Sequence, residues 1–164
     1  MEEEKLMGKQ LVVDPKKCVS CRTCELVCSF QHNEEFNPRL SNVSVFYYEK
    51  ECITVPLMCM QCDEASCAAI CPTGALSRNA EGVVEHNADK CIVCKMCVSA
   101  CPLGNVSYSP AKRKIFKCDM CGGETMCAQY CPTGAISVVD PTDVPSKKQL
   151  AADKLKAATE EVCA

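Results

Sequence analysis

The sequence predicts an α+β fold of two pseudo-twofold-related lobes, formed by internal duplication and built from short helices and small antiparallel β-hairpins. Sixteen of the 18 cysteines fall into four tight quartets. The chain also repeats itself, since CPTGALS (71–77) returns as CPTGAIS (131–137) and LVVDPKKC (11–18) matches VVEHNADKC (83–91). Between the quartets, segments rich in Val, Ile, Tyr and Phe predict β-strands.

Each repeat is predicted to run strand, cysteine loop, short helix, hairpin, cysteine loop, short helix, strand. The helices follow the third cysteine of each quartet, in CELVCSF, CAAIC, CVSAC and CAQYC. The hairpins are predicted to join VSVFYYE with CITVPL and NVSYS with RKIFK, the second through a turn at residues 109–112. Pro72, Pro102 and Pro132 directly follow three of the quartets and are expected to end those helices.

The spacing within the quartets predicts their chemistry. The first and third read C-x2-C-x2-C-x3-C, the second C-x2-C-x4-C-x3-C and the fourth C-x2-C-x5-C-x3-C. Four thiolates in so short a segment suit a [4Fe–4S] cluster, which takes one thiolate per iron. Zinc sites usually use two cysteine pairs separated by a longer loop, and disulfides are rare in a reducing cytoplasm. We therefore expect four [4Fe–4S] clusters and a non-catalytic role in electron transfer.

The segment that joins the second and third quartets, CPTGALSRNAEGVVEHNADKCIVC, resembles the middle of a bacterial two-cluster ferredoxin. The resemblance implies that GALS pairs with GVVEH and, by the repeat, that GAIS pairs with LVVD. The four-cluster, ferredoxin-like domain would then cover residues 1–140. Its lobe A would comprise about 1–58 plus 102–140, and its lobe B about 59–101.

In the bacterial two-cluster ferredoxin run, the fourth cysteine of a quartet ligates the other cluster. Applied to the predicted strand pairs, this exchange assigns all sixteen quartet cysteines to four clusters. The predicted ligands are Cys18, Cys21, Cys24 and Cys131 for cluster 1; Cys59, Cys62, Cys67 and Cys101 for cluster 2; Cys91, Cys94, Cys97 and Cys71 for cluster 3; and Cys118, Cys121, Cys127 and Cys28 for cluster 4.

Charge and composition limit the classes of function. The formal net charge is −3, and four thiolate-ligated clusters would bring it to about −11, which argues against nucleic-acid binding. No apolar run is long enough for direct membrane insertion. The start MEEEKLMGKQLVV lacks the apolar core of a signal peptide, so a cytoplasmic location is expected. Trp is absent and Phe and Tyr number four each, so the clusters are expected to replace much of the core.

Several residues outside the ligand sets have both a structural and a functional interpretation. Cys52 is expected to be a small buried hydrophobe in a strand, and Cys163 to have no role near the C-terminus. Surface or loop positions are expected for both histidines and for three cations beside cluster cysteines. The histidines are His32 and His86, and the cations are Arg22, Lys95 and Lys117. The alternatives are a sensory thiol for either cysteine, a metal ligand or proton carrier for either histidine, and a charge that raises a nearby reduction potential for each cation.

Two segments, an insertion and a tail, are candidates for docking on a partner. The alternative for the insertion is a plain surface loop, and the alternative for the tail is docking on this protein itself. The insertion 32–41 (HNEEFNPRLS) carries the apolar residues Phe36 and Leu40 in an otherwise polar loop. Residues 141–149 are predicted to be a linker and 150–162 a helix, which together make 141–164 a C-terminal helical tail.

The quartets resemble those of the four-cluster ferredoxin-like subunits of multi-subunit oxidoreductases, the dimethyl sulfoxide reductase type. Within residues 11–140, CRTCELVCSFQHNEEFNPRLSNVSVF and LMCMQCDEASCAAICPTGAL are most similar to the small iron–sulfur subunits of tungsten aldehyde oxidoreductase and class II benzoyl-CoA reductase. One departure is that Cys28 is followed by Ser29 instead of proline, so that this helix is expected to continue into FQHNEEF.

The resemblance implies an electron-transfer subunit in anaerobic metabolism. It would relay electrons between a catalytic tungsten or molybdenum pterin subunit and another redox partner, such as a flavin subunit or a ferredoxin. The alternatives are a subunit of a hydrogenase, carbon monoxide dehydrogenase or formate dehydrogenase, a free polyferredoxin, or self-association into a wire. No flavin motif or phosphate-binding glycine loop is visible, because Gly122 and Gly123 lie inside the fourth cysteine loop.

Overall fold

The computed structural model describes residues 9–139. The predicted tail 141–164 and Cys163 lie outside the described residues. Within them the chain is α+β, with short helices and short antiparallel strand pairs, as predicted. The helices are α1 Thr23–Asn33, α2 Ser66–Ala69, α3 Met96–Ala100 and α4 Met126–Gln129. The strands are β1 Gln10–Val13, β2 Ser44–Tyr48, β3 Ile53–Leu57, β4 Leu76–Arg78, β5 Val84–His86, β6 Val106–Ser109, β7 Lys114–Lys117 and β8 Ile136–Val139.

The strands form four antiparallel pairs within the described residues. The two predicted hairpins, β2–β3 and β6–β7, are confirmed. The expected pairing of GALS with GVVEH is confirmed as β4–β5, in which Ser77 lies opposite Glu85. The expected long-range pairing of GAIS with LVVD is confirmed as β1–β8, in which Leu11 lies opposite Val138. The first and last described strands therefore meet, and this pairing brings the first and fourth quartets together.

The helices differ in length according to the residue that follows the fourth cysteine. Helix α1 has 11 residues and continues past Cys28 to Asn33, which confirms the expected extension. Ser29 replaces proline there, and its hydroxyl donates to the Leu26 carbonyl at 2.8 Å. The other helices have four or five residues. In residues 9–139 no helix has the length and apolar character needed to cross a membrane.

The insertion after Cys28 forms a braced loop. The Ser29 hydroxyl accepts a hydrogen bond from the Asn37 amide at 3.2 Å, and the Asn33 side chain donates to the Leu40 carbonyl at 3.1 Å. Leu40 is buried, whereas Phe36 is 66% exposed and stacks on Phe30 with ring centroids 4.6 Å apart. Of the two apolar residues proposed for docking, only Phe36 is therefore on the surface.

The buried side chains form two clusters, and cysteines are a large part of both. The larger cluster contains Leu11, Cys24, Cys28, Val43, Val45, Met58, Cys59, Val83, Cys118, Met120, Cys127 and Ile136. The smaller cluster contains Leu76, Cys97, Val106 and Ile115. Hairpin β2–β3 packs near β1, whereas hairpin β6–β7 packs near α3 and β5. Six of the sixteen candidate metal ligands are thus also core residues, namely Cys24, Cys28, Cys59, Cys97, Cys118 and Cys127. The duplication and the lobe boundaries stay predictions.

Cys52 corrects one prediction. It was expected to be buried in a strand, but it is exposed and lies in the turn 49–52 between β2 and β3. Its φ of 51° is a left-handed conformation that a strand residue does not adopt. The strand prediction for CITVPL was therefore one residue too long at its start.

Candidate iron–sulfur centres

Cavities within residues 9–139 bring quartet cysteines together in groups of four. There are three such cavities in the described residues, and in each of them three cysteines come from one quartet and one comes from another. The groups are Cys18, Cys21, Cys24 and Cys131; Cys59, Cys62, Cys67 and Cys101; and Cys71, Cys91, Cys94 and Cys97. The β1–β8 pair produces the first group, because it places the end of the chain's second half beside the loop that follows β1.

The remaining quartet cysteines also lie near one another. Cys28, Cys118 and Cys127 are buried together in the larger core cluster, where α1 packs against α4. Burial, followed by the negative charges of Cys28 and Cys121, raises the pKa of Cys127 to about 12. Burial, with Cys59, Cys127 and Cys28 among the nearby charges, also raises the pKa of Cys118. The structure therefore brings Cys28 into the neighbourhood of the fourth quartet.

All four cysteine loops share one backbone feature that the sequence did not reveal. The residue before the second cysteine has a left-handed conformation in each quartet, although none is glycine. These residues are Ser20, Gln61, Val93 and Met120, with φ between 45° and 58°. For a β-branched residue such as Val93 this conformation is rare and costs about 1–3 kcal/mol. The recurrence of this conformation indicates that each of the four loops is shaped around the same kind of bound group.

Backbone N–H groups donate hydrogen bonds to ligand sulfurs at several positions. The backbone amides of Asn42 and Asn105 donate to the Sγ atoms of Cys28 and Cys101, each at 3.3 Å. The backbone amide of Met120 donates to Cys118 Sγ at 3.4 Å. Such N–H···S bonds are one of the protein's means of tuning an iron–sulfur cluster.

The two cysteines in the matching CPTGA segments have lowered pKa values. Burial opposes ionisation of Cys71 and Cys131, but hydrogen bonds outweigh it. Those bonds come from the backbone amides of Leu76 and Ile136 and from the threonine after each proline, and they lower the pKa of both thiols. These two cysteines are pre-disposed to bind metal as thiolates.

Other quartet cysteines are held neutral by burial when no metal is bound. Burial and the neighbouring Glu25 raise the pKa of Cys24 to about 12. Burial also raises the pKa values of Cys67, Cys97 and Cys121. Buried thiols ionise when a metal supplies the compensating positive charge. The donor set, grouped four by four, therefore fits iron–sulfur clusters.

His32 corrects the expectation of a surface or loop histidine. It lies on α1 with its side chain 19% exposed. Its Nδ1 lies 2.9 Å from the Cys28 carbonyl oxygen and its Nε2 lies 2.9 Å from Asp119 Oδ1. Because both partners can only accept, both ring nitrogens donate and the ring carries a positive charge. The bonds to Asp119 and Cys28 raise the pKa of His32 to about 11.

His86 differs from its prediction in another way. It ends β5 and is half-buried, and its Nε2 has no hydrogen-bond partner in residues 9–139. Burial, followed by the charges of Lys114 and Lys117, lowers the pKa of His86. The two histidines therefore have opposite electrostatic environments, one held charged and the other held neutral.

The three cations beside cysteines divide into two kinds. Arg22 and Lys95 are exposed, as expected. Arg22 Nη1 lies 3.8 Å from Glu25 Oε2, and Lys95 Nζ lies 4.0 Å from the centroid of the Tyr108 ring. Lys117 was expected at the surface, and that prediction is wrong, because Lys117 is only 6% exposed. Its Nζ donates to Cys59 Sγ at 3.4 Å, to the Val84 carbonyl at 2.7 Å and to the Cys118 carbonyl at 3.0 Å.

Gln61 braces the same junction and was also missed from the sequence. Its Nε2 donates to the Cys118 carbonyl at 2.8 Å, and its Oε1 accepts from the Val84 amide at 2.9 Å. The repeat held a signal for the burial of Lys117, because matching LMC (57–59) with FKC (116–118) aligns Lys117 with Met58. The same comparison aligns Gln61 with Met120, so the repeat held a comparable signal for the burial of Gln61.

Comparisons with known proteins agree with these features. The family model described as "4Fe-4S dicluster domain" matches residues 50–141. The chain is 41% identical over 98 residues to the aliphatic sulfonate oxidoreductase, polyferredoxin-like subunit, of Pyrococcus furiosus, with 59% of this chain and 56% of that protein covered. It is 34% identical over 96 residues to the electron transport protein HydN of Escherichia coli (strain K12), with 56% and 54% covered.

Among solved structures, one similar chain is in the active site complex BamBC of benzoyl coenzyme A reductase with 1,5-dienoyl-CoA. The TM-score is 0.50 at 26% identity, and the match covers 85% of this chain and 80% of that chain. The chain spans about half the length of the curated relatives it matches.

Proposed function

Because the chain belongs to the 4Fe-4S dicluster domain family, we propose that it is a non-catalytic electron-transfer subunit of an oxidoreductase and holds four [4Fe–4S] clusters. The observation that carries this proposal is the grouping of quartet cysteines in cavities, three from one quartet and one from another. The ligand sets are those predicted from the sequence. When bound, the clusters supply one-electron transfer.

The chain's own residues do three things for such clusters. Thiolates hold the iron, and the backbone amides of Asn42, Asn105 and Met120 direct N–H groups at ligand sulfurs. The apolar core limits water at the buried ligands Cys28, Cys118 and Cys127, because these side chains lie within the larger core cluster. Solvent exposure and hydrogen bonds of this kind set cluster potentials, so that the four environments are expected to differ.

The proposed partner is a catalytic tungsten or molybdenum pterin subunit of the aldehyde oxidoreductase or benzoyl-CoA reductase type. It is supported by the likeness to the sulfonate oxidoreductase subunit and to a chain of the BamBC complex. The test is to purify the complex from its native host under strict anoxia and to count tungsten, molybdenum and nickel against iron. Tungsten at about one per chain is expected. Nickel would instead indicate a hydrogenase or carbon monoxide dehydrogenase as the partner. Molybdenum would indicate a formate dehydrogenase, and iron alone would indicate a free carrier.

The exchange of fourth cysteines has a separate test with single variants. Cys131→Ser and Cys118→Ser are expected to alter different clusters, because Cys131 shares a cavity with Cys18, Cys21 and Cys24. The measurement is electron paramagnetic resonance of the dithionite-reduced protein. Cys52→Ser is the control, since Cys52 is exposed and lies outside the quartets. Loss of the same signal in both ligand variants would refute the exchange.

A further inference from the structure

The ammonium group of Lys117 lies between two groups of candidate cluster ligands. Cys59 belongs to one group, and Cys118 belongs to the other. An ammonium has three N–H donors, and the contacts to Cys59 Sγ, the Val84 carbonyl and the Cys118 carbonyl engage three acceptors. The position of the charge is therefore fixed by three elements: the second cysteine loop, β5 and the fourth cysteine loop.

The side chain of Gln61 fixes the acceptors that Lys117 uses. Gln61 bonds to the Cys118 carbonyl and to the Val84 amide, while Lys117 bonds to the Cys118 and Val84 carbonyls. Gln61 and Lys117 are 5% and 6% exposed, so this network is shielded from water. A shielded charge acts on its neighbours more strongly than one at the surface, because solvent screens it less.

Burial of a cation is costly unless a negative group compensates it. Of the three acceptors of Lys117, two are neutral carbonyls and the third is the sulfur of Cys59. The charge of Lys117 also acts on Cys67, which lines the same cavity as Cys59. The negative group that best explains the buried ammonium is thus the thiolate-ligated cluster that this cavity would hold.

We propose that Lys117 raises the reduction potential of the cluster held by Cys59, Cys62, Cys67 and Cys101, so that this cluster is reduced more readily than it would be without the charge. This inference rests on the proposed function. Reduction adds one electron and one negative charge, and a fixed positive charge stabilises the added charge. The proposed step transfers one electron and no proton, and Lys117 acts only through its charge.

The test is a redox titration of the iron-loaded protein with dithionite, monitored by electron paramagnetic resonance. The variants are Lys117→Met, Lys117→Gln and Lys117→Arg. Lys112→Met is the matched control, because Lys112 is exposed, its Nζ lies 3.8 Å from Glu35 Oε2, and it does not line the three cysteine cavities. The relevant signal is the one that Cys62→Ser removes.

In Lys117→Met and Lys117→Gln, the one-electron reduction equilibrium of that signal is expected to fall at least tenfold, which is 59 mV for one electron. Lys117→Arg is expected to retain most of the wild-type potential, and Lys112→Met to change none of the signals. An unchanged potential with full iron would overturn the proposal. Loss of iron in both uncharged variants, with Lys117→Arg intact, would also overturn it, because Lys117 would then serve to retain the cluster. Absence of cluster signals in the wild-type protein would refute the proposed function instead.

Discussion

Met58 and Lys117 occupy matching places in the two halves of the chain. Met58 directly follows β3, and Lys117 is the last residue of β7. Each directly precedes the first cysteine of a quartet, and each is buried, at 1% and 6% exposure. Met58 packs in the larger apolar cluster. Lys117 instead extends an ammonium to Cys59 Sγ and two carbonyls. The same backbone position thus carries an apolar side chain in one half and a positive charge in the other.

The contrast teaches that similar backbone contacts to sulfur occur in two parts of the chain, whereas the charges beside the cysteines differ. Asn42 and Asn105 show the similar contacts, because their backbone amides donate to the fourth cysteine of a quartet at the same distance of 3.3 Å. His32 shows the difference in charge, since it places a charged ring beside Cys28 through the insertion-extended helix α1. Differences between cluster environments therefore arise from a few buried side chains.

The largest effect is expected when a lysine replaces the apolar residue Met58. Met58→Lys would bury an ammonium in an apolar cluster and is expected to destabilise the iron-loaded protein by about 3 kcal/mol or more. That corresponds to a fall of roughly 6 °C or more in the midpoint of thermal unfolding under anoxia. Met58→Leu is the control, because a volume-conserving change should cost less than about 1.5 kcal/mol. Equal midpoints for the two variants would show that the halves are electrostatically interchangeable.

A smaller effect is expected from the histidine pair. His32→Leu removes the partner of a partly buried Asp119 carboxylate and should cost about 2 kcal/mol, or roughly 4–8 °C in the same thermal measurement. His86→Leu is the matched comparison, and it should change the midpoint little because His86 Nε2 has no partner within the described chain. A larger loss in His86→Leu than in His32→Leu would contradict the assigned roles.

The smallest effect is expected from the asparagine pair. The Asn105 side chain donates to the Met58 carbonyl at 2.7 Å, so Asn105→Ala should cost about 1 kcal/mol, or roughly 2–4 °C. The Asn42 side-chain oxygen is buried without a partner in residues 9–139, so Asn42→Ala should cost less. Backbone amide bonds to sulfur are kept in both variants, and iron content should therefore stay constant. If Asn42→Ala lowered the midpoint more than Asn105→Ala, the roles assigned to the two side chains would be wrong.

The regular features of the fold were predictable because they depend on local patterns. Cysteine spacing, the prolines after three quartets and the short Val- and Ile-rich segments were enough to predict four helices and the two hairpins. The resemblance to a bacterial ferredoxin and the internal repeat implied the other two strand pairs, and all four pairs are confirmed in residues 9–139. The length of α1 followed from Ser29, which replaces the proline found elsewhere. These signals act within a few residues or repeat along the chain, and so the sequence alone expresses them.

The contacts that make the sites unequal were not predictable. His32 and Asp119 are 87 positions apart, and Lys117 reaches Cys59 across 58 positions. Such pairs depend on how α1 and β7 pack in three dimensions, which local propensity does not encode. Local patterns also place the ends of elements imprecisely, as Cys52 shows. The predicted start of β3 was one residue too early, so Cys52 was predicted to be a buried strand residue, whereas it lies in an exposed turn.

The most direct test of the proposed function is the iron and labile sulfide content of the chain purified under strict anoxia. Four cubanes held by the sixteen grouped cysteines predict about sixteen iron and sixteen sulfide per chain, without zinc. About eight of each would mean that only two of the cysteine groups hold clusters. Zinc in place of iron would contradict electron transfer by this chain altogether.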